Sequence, residues 1–462
     1  MAIARVPTGN PGLDQILKGG FPANTVNVVM GPPGSGKTIL TEQLIFANAT
    51  QQFPALYLTT LSEPLEKFIT HGQTYSFFDA TRINESVFYE DLGSMVLQRG
   101  IRELPQILAE FIAERKPRLI AIDSFKALTE LLGPAVDRRT ILFDLASVLA
   151  AYQCTTFLVG EYSEAMMTEL PEFAIADGIV QLIKQSSGVR EQRFLRVEKL
   201  RGSGSVLGMH AFDISERGID IYPRLLTPSI SPQYNVDVER VNTGIVGLND
   251  LIEAGFWRGS TTLIAGPSGS GKTTIGLHFI RAGVIREERS IYVGFQENPI
   301  QIARIMQNFD WDPETLLQNP YFEFMYRSPV EMQLDSIATE LFWRVREGNV
   351  KRVVIDALGD LQKSSSDARR FSDFIYALTQ WFAVQNVTGL FMYELHDLFN
   401  PSHISGDQIS NMSDNVIMLR FSREPRMARL VRIIKTRGSD HDKRECELEM
   451  SKVGVTIKSP VD

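Results

Sequence analysis

The chain has 462 residues, 44% apolar and 22% charged, with 34 Gly and 22 Pro, a profile that excludes disordered, collagen-like and fibrous classes and, by length, predicts two or three domains. No run of roughly 18 apolar residues predicts a membrane-spanning helix, and a net charge of −8 (47 basic against 55 acidic residues) argues against a dedicated nucleic-acid binder. Two cysteines far apart, Cys154 and Cys446, with no Cys/His pairing pattern and no apolar leader over residues 1–12, exclude a disulfide framework or zinc site and point to a reducing, cytoplasmic location.

Taken in chain order, the run 25–30 (Thr-Val-Asn-Val-Val-Met) predicts a buried strand. A glycine-rich turn follows, then a helix over about 37–48. Residues 55–59, 119–122 and 156–160 continue the series as short strands. Runs apolar throughout imply strands buried on both faces, and so a parallel sheet between helices. Their alternation with helical patterns predicts a three-layer α/β domain. A segment carrying Pro223, Pro228 and Pro232 follows. Proline is excluded from helix interiors and holds its neighbour extended, so 223–237 reads as a semi-rigid linker.

Beyond the linker the series restarts. Arg5-Val6-Pro7-Thr8-Gly9 recurs as Arg240-Val241-Asn242-Thr243-Gly244, and Gly12-Leu13-Asp14 as Gly247-Leu248-Asn249. Gly31-Pro32-Pro33-Gly34-Ser35-Gly36-Lys37-Thr38 recurs as Gly266-Pro267-Ser268-Gly269-Ser270-Gly271-Lys272-Thr273. Leu119 to Asp123 recurs as Arg352 to Asp356, and Lys199-Leu200-Arg201-Gly202-Ser203 as Lys435-Thr436-Arg437-Gly438-Ser439. The offsets run from 233 to 236, too long for a solenoid repeat. The chain therefore reads as a duplicated domain: 1–222, the linker, and 238–462.

The pattern G-x-x-x-x-G-K-[ST], after a strand and before a helix, is a phosphate cradle. Glycines let main-chain N–H groups converge on phosphate oxygens, and the helix turns its positive end to the anion. Gly31, Gly34, Ser35, Gly36, Lys37 and Thr38, with Gly266, Gly269, Ser270, Gly271, Lys272 and Thr273, are the expected ATP-binding residues. The lysines are expected to reach the β- and γ-phosphates. Thr38 and Thr273, with the strand-end Asp123 and Asp356, are expected to hold Mg²⁺. Hydrolysis also needs a group to activate water. Glu63 and Glu297, at the end of the next strand, are the candidates beside the two lysines, and Glu161 and Glu394 end a later strand.

Tandem P-loop domains that each carry a late Lys-x-Arg-Gly-Ser segment resemble the KaiC family of double-domain RecA-like ATPases, over essentially the whole chain. The resemblance implies two RecA-like domains and six protomers in a double ring, with ATP at protomer interfaces. It implies that Lys199, Leu200 and Arg201, and Lys435, Thr436 and Arg437, reach the neighbour's nucleotide. It also implies an unidentified signalling protein as partner. Two departures stand out. The family has two adjacent glutamates after the second strand of each domain. The matching pairs here are taken as Ser62-Glu63 and Gln296-Glu297, so the first glutamate is missing. The family's Ser-Thr autophosphorylation pair falls at Ser410-Asn411, where only the serine accepts phosphate. The expectation is an ATP-hydrolysing oligomeric signalling protein, with weak serine autokinase activity at Ser410 left open.

The alternatives are a RecA-type recombinase or helicase motor and a ring scaffold with little turnover. The motor needs a basic, aromatic strip. Residues 184–190 carry only modest charge, 421–426 are more basic, and both read as solvated hairpin turns. The six scattered histidines suggest no metal beyond Mg²⁺.

Overall fold

In the computed structural model, the apolar runs of the N-terminal half form β1 (Val26–Met30), β2 (Ala55–Thr59), β3 (Val87–Asp91), β4 (Leu119–Asp123) and β5 (Thr155–Gly160). Four longer or more polar strands follow: β6 (Gly178–Ser187), β7 (Arg190–Leu200), β8 (His210–Ser215) and β9 (Gly218–Tyr222). Their order across one sheet is β9-β8-β7-β6-β1-β5-β4-β2-β3. Strands β1 to β6 run parallel to their neighbours, and β7 to β9 extend the sheet antiparallel. The structure describes residues 4–60, 65–132, 138–187, 190–228, 238–330, 332–365, 367–395, 397, 409–423 and 427–460.

Because side chains alternate along a strand, a strand apolar throughout buries both faces. Val28 and Met30 pack with Leu56, Leu58 and Ile120 against Ile107 and Leu108 of α2 (Leu104–Arg115) and Leu142 of α4 (Arg138–Ala151). Val29 turns the other way, joining Tyr57, Ala121 and Phe157 under Leu40 and Leu44 of α1 (Lys37–Asn48). The short α3 (Phe125–Glu130) follows β4.

The C-terminal half repeats the plan. Its strands are β10 (Thr261–Gly266), β11 (Ser290–Gly294), β12 (Phe322–Tyr326), β13 (Arg352–Asp356), β14 (Thr388–Glu394), β15 (Asn415–Ser422), β16 (Ala428–Thr436), β17 (Cys446–Ser451) and β18 (Gly454–Pro460). Their order is β12-β11-β13-β14-β10-β15-β16-β17-β18, the same order read from the opposite edge. One face packs under α5 (Lys272–Ile285), the other under α7 (Leu334–Gly348) and α9 (Ala368–Val384). Helices α6 (Pro299–Asn308) and α8 (Leu358–Ser364) follow β11 and β13. The chain divides into two units, Met1–Arg224 and Leu225–Asp462, within the expected 223–237 segment. Residues 229–237 lie outside the described residues. Each half is thus a mostly parallel sheet between helices. No helix among the described residues is long and apolar enough to cross a membrane.

Candidate nucleotide sites

In each half the chain leaves the central strand, turns through the glycine-rich loop and enters α1 or α5. Gly34 (φ 66°), Gly36 (98°), Gly269 (75°) and Gly271 (106°) hold the left-handed conformations that glycine adopts without steric cost. A Cβ on Gly34 or Gly269 would meet nothing within 4 Å, so both turns border open space. A Cβ on Gly31 or Gly266 would instead lie 2.8 or 2.9 Å from the hydroxyl of Ser35 or Ser270. Those hydroxyls are buried and have no hydrogen-bond partner among the described residues. Gly36 and Gly271 cap their helices without a side chain to satisfy the first-turn N–H groups. Free N–H groups and the positive helix end therefore face the turn, an arrangement suited to an anion.

Lys37 Nζ donates to the Pro32 carbonyl at 2.9 Å, and Lys272 Nζ to those of Gly266 and Pro267 at 2.9 and 2.8 Å. Burial lowers the pKa of both ammonium groups, and nearby carboxylates oppose the shift. Glu161, just past β5, lies 4.0 Å from Lys37, and the charge of Glu394 acts on Lys272. Thr38 Oγ1 donates to Asp123 Oδ2 at 2.6 Å, and Thr273 Oγ1 to Asp356 Oδ2 at 2.7 Å. Each aspartate ends the strand two places from the P-loop strand, with β5 or β14 between them. A cavity of about 490 Å³ opens over Lys37, Thr38, Asp123 and Glu161. One of about 260 Å³ opens over Lys272, Thr273, Asp356, Glu297 and Glu394. Both lie at the carboxyl ends of parallel strands, the ligand crevice of open α/β sheets.

The structure adds residues that motif reading passed over. The Tyr57 hydroxyl donates to Asp123 Oδ2 at 3.0 Å, and the Tyr292 hydroxyl to Asp356 Oδ2 at 2.6 Å. The repeat offset carries the signal, since both tyrosines interrupt aliphatic strands at a spacing of 235. Burial raises the Asp356 carboxyl pKa, while the hydrogen bonds from Tyr292 and Thr273 and the charge of Lys272 pull it down. A bound divalent cation would hold that carboxylate ionised, so the donor set fits Mg²⁺. Arg429 on β16 donates to the Gly269 carbonyl at 3.0 Å and lines the C-terminal cavity.

The catalytic candidates differ between the halves. Glu297 lines its cavity, and burial together with the Asp356 charge raises its pKa. Gln296 donates to both carboxylate oxygens of buried Asp360, at 3.1 and 2.9 Å. Glu63 lies outside the described residues. Sheet register pairs Thr59 with Asp123 and Gly294 with Asp356. Asn298 caps α6 through a reciprocal box with Gln301.

The Lys-x-Arg segments lie away from the P-loop of their own half. Leu200 pairs with Gly178 and Lys199 with Ile179, and Gly178 is level with Asn27. Thr436 pairs with Asn415, level with Thr262. These levels fall three residues short of Met30 and Ala265, about 10 Å along a strand. Lys199 Nζ donates to the Phe173 carbonyl at 3.2 Å, and Arg201 pairs with Asp177 at 3.4 Å while staying exposed. Lys435 Nζ donates to the carbonyls of Ser410 and Ser413 at 2.9 and 2.7 Å, and Arg437 to that of Asn411 at 2.7 Å. Thr436 Oγ1 donates to Ser439 O at 2.8 Å. Ser410, in the short helix Ile409–Met412, therefore shares the amino-end edge with Lys435 and Arg437. Burial lowers the pKa of Lys199 and Lys435. Among the described residues no group of three or more His, Cys, Asp or Glu is arranged to hold a metal.

Comparison with known proteins supplies the family. The model of the KaiC ATPase family matches residues 6–225 and again 241–462. The chain is similar to the circadian clock oscillator protein KaiC of Synechococcus elongatus, 26% identical over 475 aligned positions that cover 99% of this chain and 89% of that protein. It is similar to the circadian clock protein KaiC3 of a Synechocystis species at 27% identity, covering 99% of this chain and 92% of the relative. The KaiC of Parathermosynechococcus lividus is 26% identical, with 99% and 86% covered.

Proposed function

The chain belongs to the KaiC ATPase family, and from that premise we propose that it binds ATP with Mg²⁺ in both halves, hydrolyses it slowly, and acts as an oligomeric signalling switch. The observation that carries the reading is the doubled cluster in which a P-loop threonine donates to a strand-end aspartate beside a buried lysine, at a helix start with free N–H groups. The loop N–H groups and the two lysines bind and orient the triphosphate. Thr38 with Asp123, and Thr273 with Asp356, hold the cation, and the tyrosine hydroxyls fix each carboxylate. When bound, Mg²⁺ neutralises charge on the β- and γ-phosphoryl oxygens. In the C-terminal half Glu297 orients the attacking water and takes its proton. Its raised pKa suits a base working nearer neutral pH than a solvated carboxylate. Glu63 takes the corresponding role in the N-terminal half.

Lys199, Leu200 and Arg201, and Lys435, Thr436 and Arg437, serve the nucleotide of a second copy of this chain. The register supports this, since it holds them about 10 Å of strand away from their own P-loop. A closed ring of six protomers in two tiers gives every site such a neighbour. Ser410 lies at the same edge, so phosphate would reach it from a neighbour's site. Gln296 in place of an acid makes that transfer weak. A signalling protein in the cytoplasm completes the proposed setting.

A nucleic-acid motor is the second reading. In the β6–β7 hairpin Lys184 and Arg193 are matched by acid, both pairing with Glu191, at 3.2 and 2.9 Å. Arg420 on β15 is held by Glu445 at 2.6 Å. ADP released per protomer, counted with and without single-stranded DNA, separates the readings. Slow release unaffected by DNA is expected. Strong stimulation by DNA would establish the motor, and no release at all would establish a static scaffold.

A further inference from the structure

The two cavities differ in a residue that no P-loop motif contains. Lys126 is the third residue after Asp123 and lies on α3. It lines the N-terminal cavity together with Lys37, Thr38, Asp123 and Ser124. Its side chain is three-quarters buried, and its ammonium pairs with Glu130 at 3.4 Å, one turn along the same short helix. Glu130 also lines the cavity and is itself largely exposed. An i,i+4 pair whose acid is solvated is a weak one. The amine is therefore held at the cavity wall by a partner it gives up at little cost.

In the C-terminal half the residue three places after Asp356 is Gly359, where a Cβ would meet nothing within 4 Å. The counterpart of Glu130 is Lys363, exposed and paired with Asp360 at 3.6 Å. Among the described residues the C-terminal cavity therefore has no cation at this position; its second cation, Arg429, comes from β16 and is tied to the Gly269 carbonyl. The residues that share a wall with Lys126 bear on which part of a nucleotide it faces. Asp123 and Thr38 mark the metal, and Lys37 marks the β- and γ-phosphates. Lys126 lines the same cavity as these groups.

We propose that Lys126 is a ligand for the terminal phosphate of a nucleoside triphosphate in the N-terminal site, supplied by the chain that binds the nucleotide, and that it makes this site discriminate triphosphate from diphosphate. The proposal rests on the reading of the P-loops as nucleotide sites. The structure pairs Lys126 with Glu130. With triphosphate bound, the ammonium exchanges a solvated carboxylate for a phosphoryl oxygen carrying more charge. A diphosphate leaves that position without an anion, and the Glu130 pair is retained. The N-terminal half thereby gains, from its own chain, a terminal-phosphate contact beside that of the P-loop lysine, and the matching position of the C-terminal half is Gly359.

The test is equilibrium binding of ATP and ADP, with Mg²⁺, to the full chain carrying Lys272→Ala so that only the N-terminal P-loop is read. Adding Lys126→Ala is expected to weaken ATP about tenfold, the loss of one charge-assisted contact, and to leave ADP within about twofold. Lys126→Arg is expected to restore most of the ATP affinity, and Glu130→Gln to tighten ATP by releasing the amine. Equal loss for ATP and ADP, or no loss for either, overturns the proposal. Lys37→Ala in the same background separates the two claims. If it binds ATP unchanged, the P-loop reading itself has failed; if it abolishes binding while Lys126→Ala leaves the ATP-to-ADP ratio unaltered, only the role of Lys126 has.

Discussion

His278, on the helix behind the C-terminal P-loop, shows how much one buried side chain sets the conditions for folding. Its Nδ1 contacts the Gly244 carbonyl at 3.2 Å, its Nε2 accepts from the Val455 N–H at 2.8 Å, and its ring packs edge-on to Trp311. A neutral tautomer satisfies both contacts and a protonated ring cannot accept from Val455. Burial accordingly pushes its pKa down from 6.5 to about 4. An unfolded chain takes up this proton near pH 6.5 and the native one only near pH 4, so the unfolded state binds more protons between those values. The stability contributed is complete above pH 6.5 and falls as the pH is lowered, by up to about 3 kcal/mol at pH 4. Urea unfolding at pH 7 and pH 4.5 is expected to show a smaller acid loss in His278→Asn than in the natural chain. An equal loss in both excludes His278 as the source. Residue chemistry also fixes the pH profile of turnover. In the proposed role of Glu297 as base, its raised carboxyl stays protonated at pH values where a solvated glutamate is already ionised. Turnover of the Lys37→Ala chain is expected to rise with pH through a midpoint above the usual carboxylate range, and Glu297→Gln to abolish it.

At the scale of elements, the loop after β11 decides what phosphoryl transfer is available. Gln296 is tied to Asp360 through both carboxylate oxygens. Replacing it with glutamate sets two carboxylates about 3 Å apart, which raises the pKa of one of them. Gln296→Glu alone is therefore expected to add little Ser410 phosphorylation. Pairing it with Asp360→Asn, which restores a donor, is expected to raise it clearly. Labelled ATP and peptide mapping measure this, and stoichiometric phosphate on Ser410 in the natural chain contradicts the account. The β7 and β16 ends make a second element-scale prediction. Arg201→Ala removes an exposed side chain that, among the described residues, pairs with Asp177. It is expected to leave folding intact while lowering turnover about a hundredfold, the usual worth of a preorganised charge contact in a phosphoryl or acyl transition state. An assembled ring with full turnover rules out its trans role. These elements also show where sequence reading reaches its limit. The P-loop helix over 37–48 was legible because a strand, a glycine turn and an apolar pattern agree on one boundary. The antiparallel strands β7 to β9 were harder, since their half-polar pattern fits an exposed edge or a hairpin equally. Tyr57 and Tyr292 were passed over because a tyrosine in a buried strand reads as packing until its hydroxyl partner is known. The Lys126–Glu130 pair was missed because its relevance comes from the cavity wall.

For the whole molecule, duplication is the organising fact, and it was legible because five landmarks share nearly one offset. The halves are nevertheless not copies in chemistry. The N-terminal cavity is the larger and carries Lys126, and the C-terminal one carries Glu297 and Arg429. The central claim is that each half is a separate ATP site built on its own P-loop. Equilibrium dialysis of the full chain against ATP and Mg²⁺ tests it most directly. The account predicts two ATP per chain, one in Lys37→Ala, one in Lys272→Ala, and none in the double variant, each substitution weakening its own site about a hundredfold. Two ATP retained by either single variant, or any tight binding left in the double variant, would contradict it.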